Sequence, residues 1–235
     1  MSKIKLIFVG EGKVGKTSLI SQYIEKKFEE EYTMTVGSDK TYKELEINNK
    51  KISLEIWDTP GQKEFNAVSK IFMKNAKIAI IVYSIIDKKS FENLNHWLEM
   101  VNKSNKNQEV IIGIVANKSD LFENQIVSKE EGEKFAKDNN ALFFETSAKD
   151  YNSIDKVFVE LCKSYLENFE KNKQNKNSIS SQQIDNKNIN SEKGNFDSIN
   201  NNDLNSKEKI LKQEEIDFTD IPKKDEDCSS KCYII

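Results

Sequence analysis

Gly10-Glu11-Gly12-Lys13-Val14-Gly15-Lys16-Thr17 stands between an apolar run, Lys3–Val9, and a helical pattern from Gly15 to about Lys26. It fits G-x-x-x-x-G-K-[S/T] in the strand–loop–helix setting that motif requires. The glycines let the backbone turn so that successive N–H groups face a chain of phosphates at the positive end of the following helix. Lys16 adds a point charge at the β- and γ-phosphates, and the Thr17 hydroxyl is a candidate Mg²⁺ ligand. The same glycines also satisfy G-x-G-x-x-G, the dinucleotide fingerprint. That reading has no use for Lys16-Thr17 and needs an acidic residue closing the second strand, so the phosphate loop is preferred.

Outward from the loop, β and α patterns alternate. Thr41–Ile47 and Lys51–Trp57 alternate by twos around Asn48-Asn49 and predict a hairpin. Lys77–Tyr83 and Val110–Ala116 are continuous apolar runs, as in strands buried on both faces, and Ala141–Glu145 is a shorter one. Helices are predicted at about 64–75, 90–104, 128–138 and 152–169. The order demands an α/β fold: a six-stranded, mostly parallel sheet with one antiparallel strand and about five helices on its two faces. Ligands in such a sheet bind at the carboxyl ends of the strands.

Two further motifs fall at those ends. Trp57-Asp58-Thr59-Pro60-Gly61-Gln62 follows the phosphate loop by about 40 residues. Asp58 there can hold Mg²⁺ through its water shell, the Gly61 N–H can reach a γ-phosphate, and Gln62 can orient an attacking water. Thr35, in the polar stretch 29–38, is a candidate second hydroxyl ligand. Asn117-Lys118-Ser119-Asp120 closes the strand at Val110–Ala116. A carboxylate at Asp120 accepts from both the ring N–H and the exocyclic amine of guanine, a donor pair that adenine does not offer on one edge. Asn117 can tie this loop to the phosphate loop, and the Lys118 stem can lie along the base. In Glu145-Thr146-Ser147-Ala148-Lys149 the backbone N–H groups can meet the guanine carbonyl. Phe28 either stacks near the base or closes a helix from inside the core.

Composition bounds the rest. At 37% hydrophobic and 32% charged, 235 residues are too polar on average for one globule, and the break falls near residue 171. Residues 1–171 are expected to form the nucleotide-binding domain. Residues 172–235, rich in Asn, Ser, Lys and acids, are expected to be a disordered tail. The 36 basic residues, all of them lysine, stand against 39 acidic ones, a net charge of −3, which argues against a nucleic-acid binder. Cys162, Cys228 and Cys232 have neither zinc nor disulfide spacing. No run predicts a membrane span or a signal peptide, so the chain is expected in the cytosol unless a covalent group ties it to a membrane. Cys232-Tyr233-Ile234-Ile235 fits C-a-a-X, with Cys232 as the lipidation site and the terminal Ile nearer the geranylgeranyl class. One lipid gives marginal binding, and the end of the tail is acidic rather than basic, so Cys228 is the candidate second signal. His96 reads as a surface residue, Cys162 as core, and 207–216 as a weak helix too short to hold alone.

GEGKVGKTSL (10–19), Thr35, WDTPGQ (57–62), NKSDL (117–121) and ETSAK (145–149) together resemble the Ras superfamily of small GTPases, and most of all its Rab family. The resemblance spans about residues 3–170. It implies a P-loop GTPase that binds GTP and GDP with Mg²⁺ and works as a monomer. It carries a nucleotide-binding set at Gly12, Lys13, Val14, Gly15, Lys16, Thr17 and Ser18, with Phe28, Thr35, Asp58 and Gly61. On the base side it adds Asn117, Lys118, Asp120, Ser147, Ala148 and Lys149. Gln62, Lys16 and Thr35 are implied as catalytic, with Thr17, Thr35 and Asp58 around the metal. The implied partners are an exchange factor, an activating protein supplying the arginine this chain lacks, effectors, a prenyltransferase and a GDP-dissociation inhibitor. The implied place is the cytoplasmic face of an endosomal or secretory membrane, with a cytosolic pool and a role in vesicle traffic. The chain departs from the Rab pattern at Lys40, where an aromatic shared with Trp57 and Phe72 is usual, at Pro60 for alanine, and at Lys63-Glu64-Phe65 for Glu-Arg-Phe. The C-a-a-X end is also at home in Ras- or Rho-type signalling GTPases. Lys40, Pro60 and Lys63 motivate a second alternative, a nucleotide-dependent binding module with negligible hydrolysis.

Overall fold

Successive side chains along each central strand join two different cores, because the strand's two sides face different helices. In the computed structural model, which describes residues 3–29, 35, 39–61, 71–106 and 108–185 (side chains to 173), Ile4, Leu6 and Phe8 of β1 (Lys3–Val9) join one core, and Ile7 and Val9 join another. β4 (Ile78–Ser84) is buried at all seven positions and splits in the same way: Ile78, Ile80 and Val82 against Ala79, Ile81 and Tyr83. α1 (Lys16–Glu25) and α5 (Tyr151–Asp185) close the first core, where Tyr23 and Phe158 stack. α3 (Leu94–Ser104) and α4 (Lys129–Asp138) close the second around the fully buried Trp97. Each such large apolar side chain contributes about 1.5–3 kcal/mol on burial.

The six-stranded sheet has the order β2-β3-β1-β4-β5-β6. β2 (Asp39–Ile47) and β3 (Lys50–Asp58) pair antiparallel, and every other pairing is parallel, including those of β5 (Ile111–Asn117) and β6 (Leu142–Thr146). Asn48 and Asn49 both have positive φ, 51° and 60°, the tight hairpin turn expected of that pair. The parallel strands therefore end on one edge of the sheet, at Val9, Asp58, Ser84, Asn117 and Thr146.

The helices differ in detail from the sequence expectation. The helix expected at 90–104 is two, α2 (Lys88–Glu92) and α3, separated at Asn93, whose φ of −83° and ψ of 0° leave the helical well. The Asn93 amide is engaged by a residue 82 positions away, which no periodicity can register. A 3₁₀ helix, Ser119–Asn124, follows β5 and was not anticipated. α4 starts at a capping box in which Ser128 and Glu131 satisfy each other's backbone N–H. Of the helix expected at 64–75, residues 71–73 are helical and 64–70 lie outside the described residues. α5 runs past the boundary placed at residue 171, to Asp185. The apolar face that revealed it ends where the helix leaves the core, but elongation needs only one further backbone bond per residue.

The first of the chain's two units, Met1–Gln182, contains the whole sheet; of the second, Gln183–Ile235, residues beyond 185 lie outside the described ones. Among the described residues no helix is long and apolar enough to cross a membrane. His96 is exposed and Cys162 is fully buried, as their patterns suggest. Residues 207–216, Cys228, Cys232, Gln62 and Lys63 are outside the described residues.

Candidate nucleotide-binding site

The carboxyl edge of the sheet holds a cleft of about 600 Å³, within the range for small-molecule sites. Its lining includes Gly12, Lys13, Gly15, Lys16, Thr17, Ser18, Phe28, Thr35, Gly61, Asn117, Lys118, Asp120, Ser147, Ala148 and Lys149. Thus residues drawn from six stretches of the sequence meet in one place. Val14 and Asp58 lie just behind this lining, both buried.

At one end the phosphate loop wraps around a buried ammonium. Lys16 Nζ donates to the carbonyls of Gly10 and Glu11, each at 2.9 Å. Gly15 adopts φ 96°, and a Cβ there would sit 2.4 Å from the Asn117 amide, so no other residue fits without displacing Asn117. That amide donates to the Val14 carbonyl at 2.8 Å, and Asn117 Oδ1 accepts from the Thr146 hydroxyl at 3.1 Å. One side chain therefore fastens the ends of β5 and β6 to the phosphate loop. Gly61 is fixed by close approach: a Cβ would lie 2.5 Å from the Glu11 carbonyl and the Gly12 nitrogen. Thr59, which sequence reasoning passed over, is fully buried and donates to the Phe8 carbonyl at 2.6 Å, locking the end of β3 onto β1.

Three oxygen-bearing side chains converge beside the loop. Thr17 Oγ1 donates to Asp58 Oδ2 at 2.6 Å and lies 2.9 Å from Thr35 Oγ1, so Thr35 is the donor in the second pair. Asp58 Oδ1 is buried without a hydrogen-bond partner in the described structure. Burial raises the Asp58 carboxyl above the ordinary carboxylate range, outweighing the Thr17 bond and the Lys16 charge. An orphaned buried carboxylate oxygen next to two hydroxyls is the donor set of a hard cation that keeps part of its water shell. Among the described residues no group of three His, Cys, Asp or Glu is placed to hold a metal ion.

At the other end lie Asp120, Ser147, Lys149 and Phe28. Ser147 Oγ donates to Asp120 Oδ1 at 2.7 Å and accepts from the Lys149 N–H at 3.1 Å. Lys149 Nζ stands 3.5 Å from Asp120 Oδ2 and 5.4 Å from the centre of the Phe28 ring. The Ser147 N–H is bound to the Ser153 hydroxyl at 3.3 Å. Phe28 is 37% exposed, which removes the core alternative and leaves its ring at the wall of the cleft. Lys118, at φ 66°, is half-buried, and desolvation lowers its ammonium despite the carboxylates of Asp87 and Asp120.

A second feature lies outside the cleft. On the β2–β3 pair, Lys40 stands in register with Trp57. The Lys40 ammonium sits 5.4 Å from the Trp57 ring centre and equally far from that of Tyr42, Lys5 lies 4.6 Å over Trp57, and Phe72 packs at 5.4 Å against the same indole. The aromatic patch expected here is thus capped by cations.

A glycine-rich loop closed around a buried lysine at the carboxyl ends of parallel strands is the arrangement of a P-loop nucleotide-binding domain. The model of the Ras family matches residues 5–167. The chain is 39% identical to Ras-related protein RabQ of Dictyostelium discoideum over 163 residues, 69% of this chain and 79% of that protein. It is 38% identical to human Ras-related protein Rab-21 over 178 residues (76% and 79%), and 34% identical to Ras-related protein SEC4 of Saccharomyces cerevisiae over 172 (73% and 79%). The chain belongs to the Ras family, as a Rab-like small GTPase and GTP hydrolase.

Proposed function

We propose that the chain is a lipid-anchored switch of membrane traffic whose cleft holds guanine nucleotide in the orientation set by its two ends. The observation that carries this reading is the convergence of Lys16, Thr17, Thr35 and Asp58 at one end of the cleft and Asp120, Ser147 and Lys149 at the other. Lys16 and the loop N–H groups take the β- and γ-phosphates. Asp120 takes the two guanine donors, and because the Ser147 and Lys149 N–H groups have internal acceptors or neighbours, the Ala148 N–H meets the guanine carbonyl. Phe28 covers the base. Thr17, Thr35 and Asp58 would hold Mg²⁺, which when bound neutralises charge on the β- and γ-oxygens. Gln62 orients the attacking water. Loss of the γ-phosphate releases Thr35 and Gly61 and so alters the surface offered to effectors. Because Lys40 caps Trp57, that surface is a cationic and aromatic one.

Protonation of Lys16 ties this chemistry to pH. Burial lowers its ammonium to about 8, with Asp58 and Glu11 opposing the shift. Phosphate binds the protonated form, so GDP affinity is full below about 8 and falls as the pH rises above it. The nucleotide-free fold moves oppositely: with the folded value below the unfolded 10.5, it gains stability as pH rises between the two. Calorimetric titration of GDP between about pH 7 and 9 is expected to show the decline in the parent and a flat profile in Lys16→Met; parallel profiles would remove Lys16 from the phosphate site.

For the membrane, Cys232 accepts a prenyl group and Cys228 a second lipid, with a prenyltransferase and a GDP-dissociation inhibitor as the handling partners. A single chain binds a bilayer only marginally. Cys232→Ser is expected to move the protein from the membrane to the soluble fraction, with Cys228→Ser giving a partial shift. An unchanged membrane fraction in Cys232→Ser contradicts lipid anchoring at this cysteine.

A further inference from the structure

Glu11 fills a position that the phosphate-loop motif leaves open. Its side chain reaches the α2–α3 junction, where Oε1 accepts from Asn93 Nδ2 at 2.9 Å and from Trp97 Nε1 at 3.3 Å. Its carbonyl accepts from Lys16 Nζ at 2.9 Å, and its backbone lies against Gly61 so closely that a Cβ there would overlap it. One residue therefore touches the phosphate-binding lysine, the glycine that starts the γ-phosphate-sensing segment, and the two helices behind the site.

The donors are not incidental surface groups. Trp97 is fully buried and has a single N–H, so Glu11 supplies the acceptor that a buried donor needs. Asn93 interrupts the helix expected through it, at the residue whose amide reaches Glu11. The loop itself has three residues at positive φ, Gly10, Lys13 and Lys16's neighbour Gly15. Of these only Lys13 is not a glycine, and its φ of 65° is held only where the surroundings determine it. The two N–H donors also hold a carboxylate away from the phosphates, where like charge would repel it.

We infer that Glu11 is a positioning residue: by anchoring to Asn93 and Trp97 it holds the phosphate loop in its nucleotide-binding shape and slows nucleotide release. The inference rests on the cleft being the guanine-nucleotide site. It assigns Asn93 and Trp97 to the support of that site although neither lines it.

The test uses the full chain loaded with methylanthraniloyl-GDP and Mg²⁺, with release followed after adding excess unlabelled GDP. Glu11→Ala is expected to speed release at least about tenfold, the size of one ordinary hydrogen bond. Glu11→Gln keeps an oxygen acceptor and is expected to stay within about twofold of the parent. Asn93→Ala removes one of the two donors and is expected to quicken release by less than Glu11→Ala, because Trp97 Nε1 still donates to the carboxylate. A second readout is the emission of Trp97 in a Trp57→Phe background, where it is the sole tryptophan: it is expected to shift in Glu11→Ala and to return in Glu11→Gln. Release at the parent rate from Glu11→Ala overturns the inference, as does a Gln variant as fast as the Ala one, which would make charge and not anchoring the cause. A parent that fails to retain labelled GDP overturns the nucleotide site itself, an outcome distinct from either.

Discussion

Asp120→Asn is expected to weaken GTP and GDP binding by a factor of about 10²–10⁴. Two hydrogen bonds to an ionised carboxylate contribute about 1.5–3 kcal/mol each, and the substitution replaces one accepting oxygen by a donating amide. That amide then faces the exocyclic amine of guanine, donor against donor, and a site built around a hydrogen bond discriminates strongly when it is unpaired. The fold should survive the change, because the remaining amide oxygen still accepts from Ser147 Oγ, now at 2.7 Å from Asp120. The reversal of polarity also predicts a gain: a xanthine nucleotide, with a carbonyl where guanine has its amine, should bind the variant better than it binds the parent. Displacement of fluorescent GDP by GTP, ATP and xanthosine triphosphate reads all three affinities. Undiminished GTP affinity in Asp120→Asn would place the base elsewhere.

Gln62→Leu is expected to abolish the acceleration of hydrolysis by an activating protein, an effect of about 10³–10⁵. The chain contains no arginine, so no such side chain can act from within it. Lys16, the lysine buried within the loop, is already drawn to the Gly10 and Glu11 carbonyls. A partner's arginine can stabilise charge that develops during transfer, but only if a water is held in line with the γ-phosphate. Gln62 follows Gly61, whose packing against Glu11 and Gly12 fixes where that segment begins. Leucine is similar in size and offers neither a donor nor an acceptor. Nucleotide affinity should therefore be kept while the stimulated rate collapses, the pattern of an interaction made only in the transition state.

Much of this site could be read from the sequence because it depends on local backbone chemistry. The glycine spacing of residues 10–17, the Asn48-Asn49 turn and the loops at Asp58 and Asn117 each leave a signature within a few residues. The buried runs of β4 and β5 likewise announce a parallel sheet, and with it the edge where ligands bind. What stayed hidden depends on contacts between distant residues. The Asn93 amide at the α2–α3 break donates to Glu11, 82 residues away, and neither residue hints at the other in sequence. Thr59 resembles any loop threonine until the Phe8 carbonyl is seen against it. Phe28 could not be placed by pattern, since an aromatic at a helix end is equally at home in a core or at a cleft wall. The extension of α5 to Asp185 has no apolar face and so carries no periodic signal.

The most direct test of the whole account is single-turnover hydrolysis of GTP by the purified full chain with Mg²⁺, parent beside Gln62→Leu, each alone and with an activating protein. Tight GTP binding is expected in both, with slow turnover of the parent that a partner's arginine accelerates and no acceleration in the variant. Tight binding with equal turnover in parent and variant under every condition would contradict this, and would leave a nucleotide-dependent binding module in place of a hydrolytic switch.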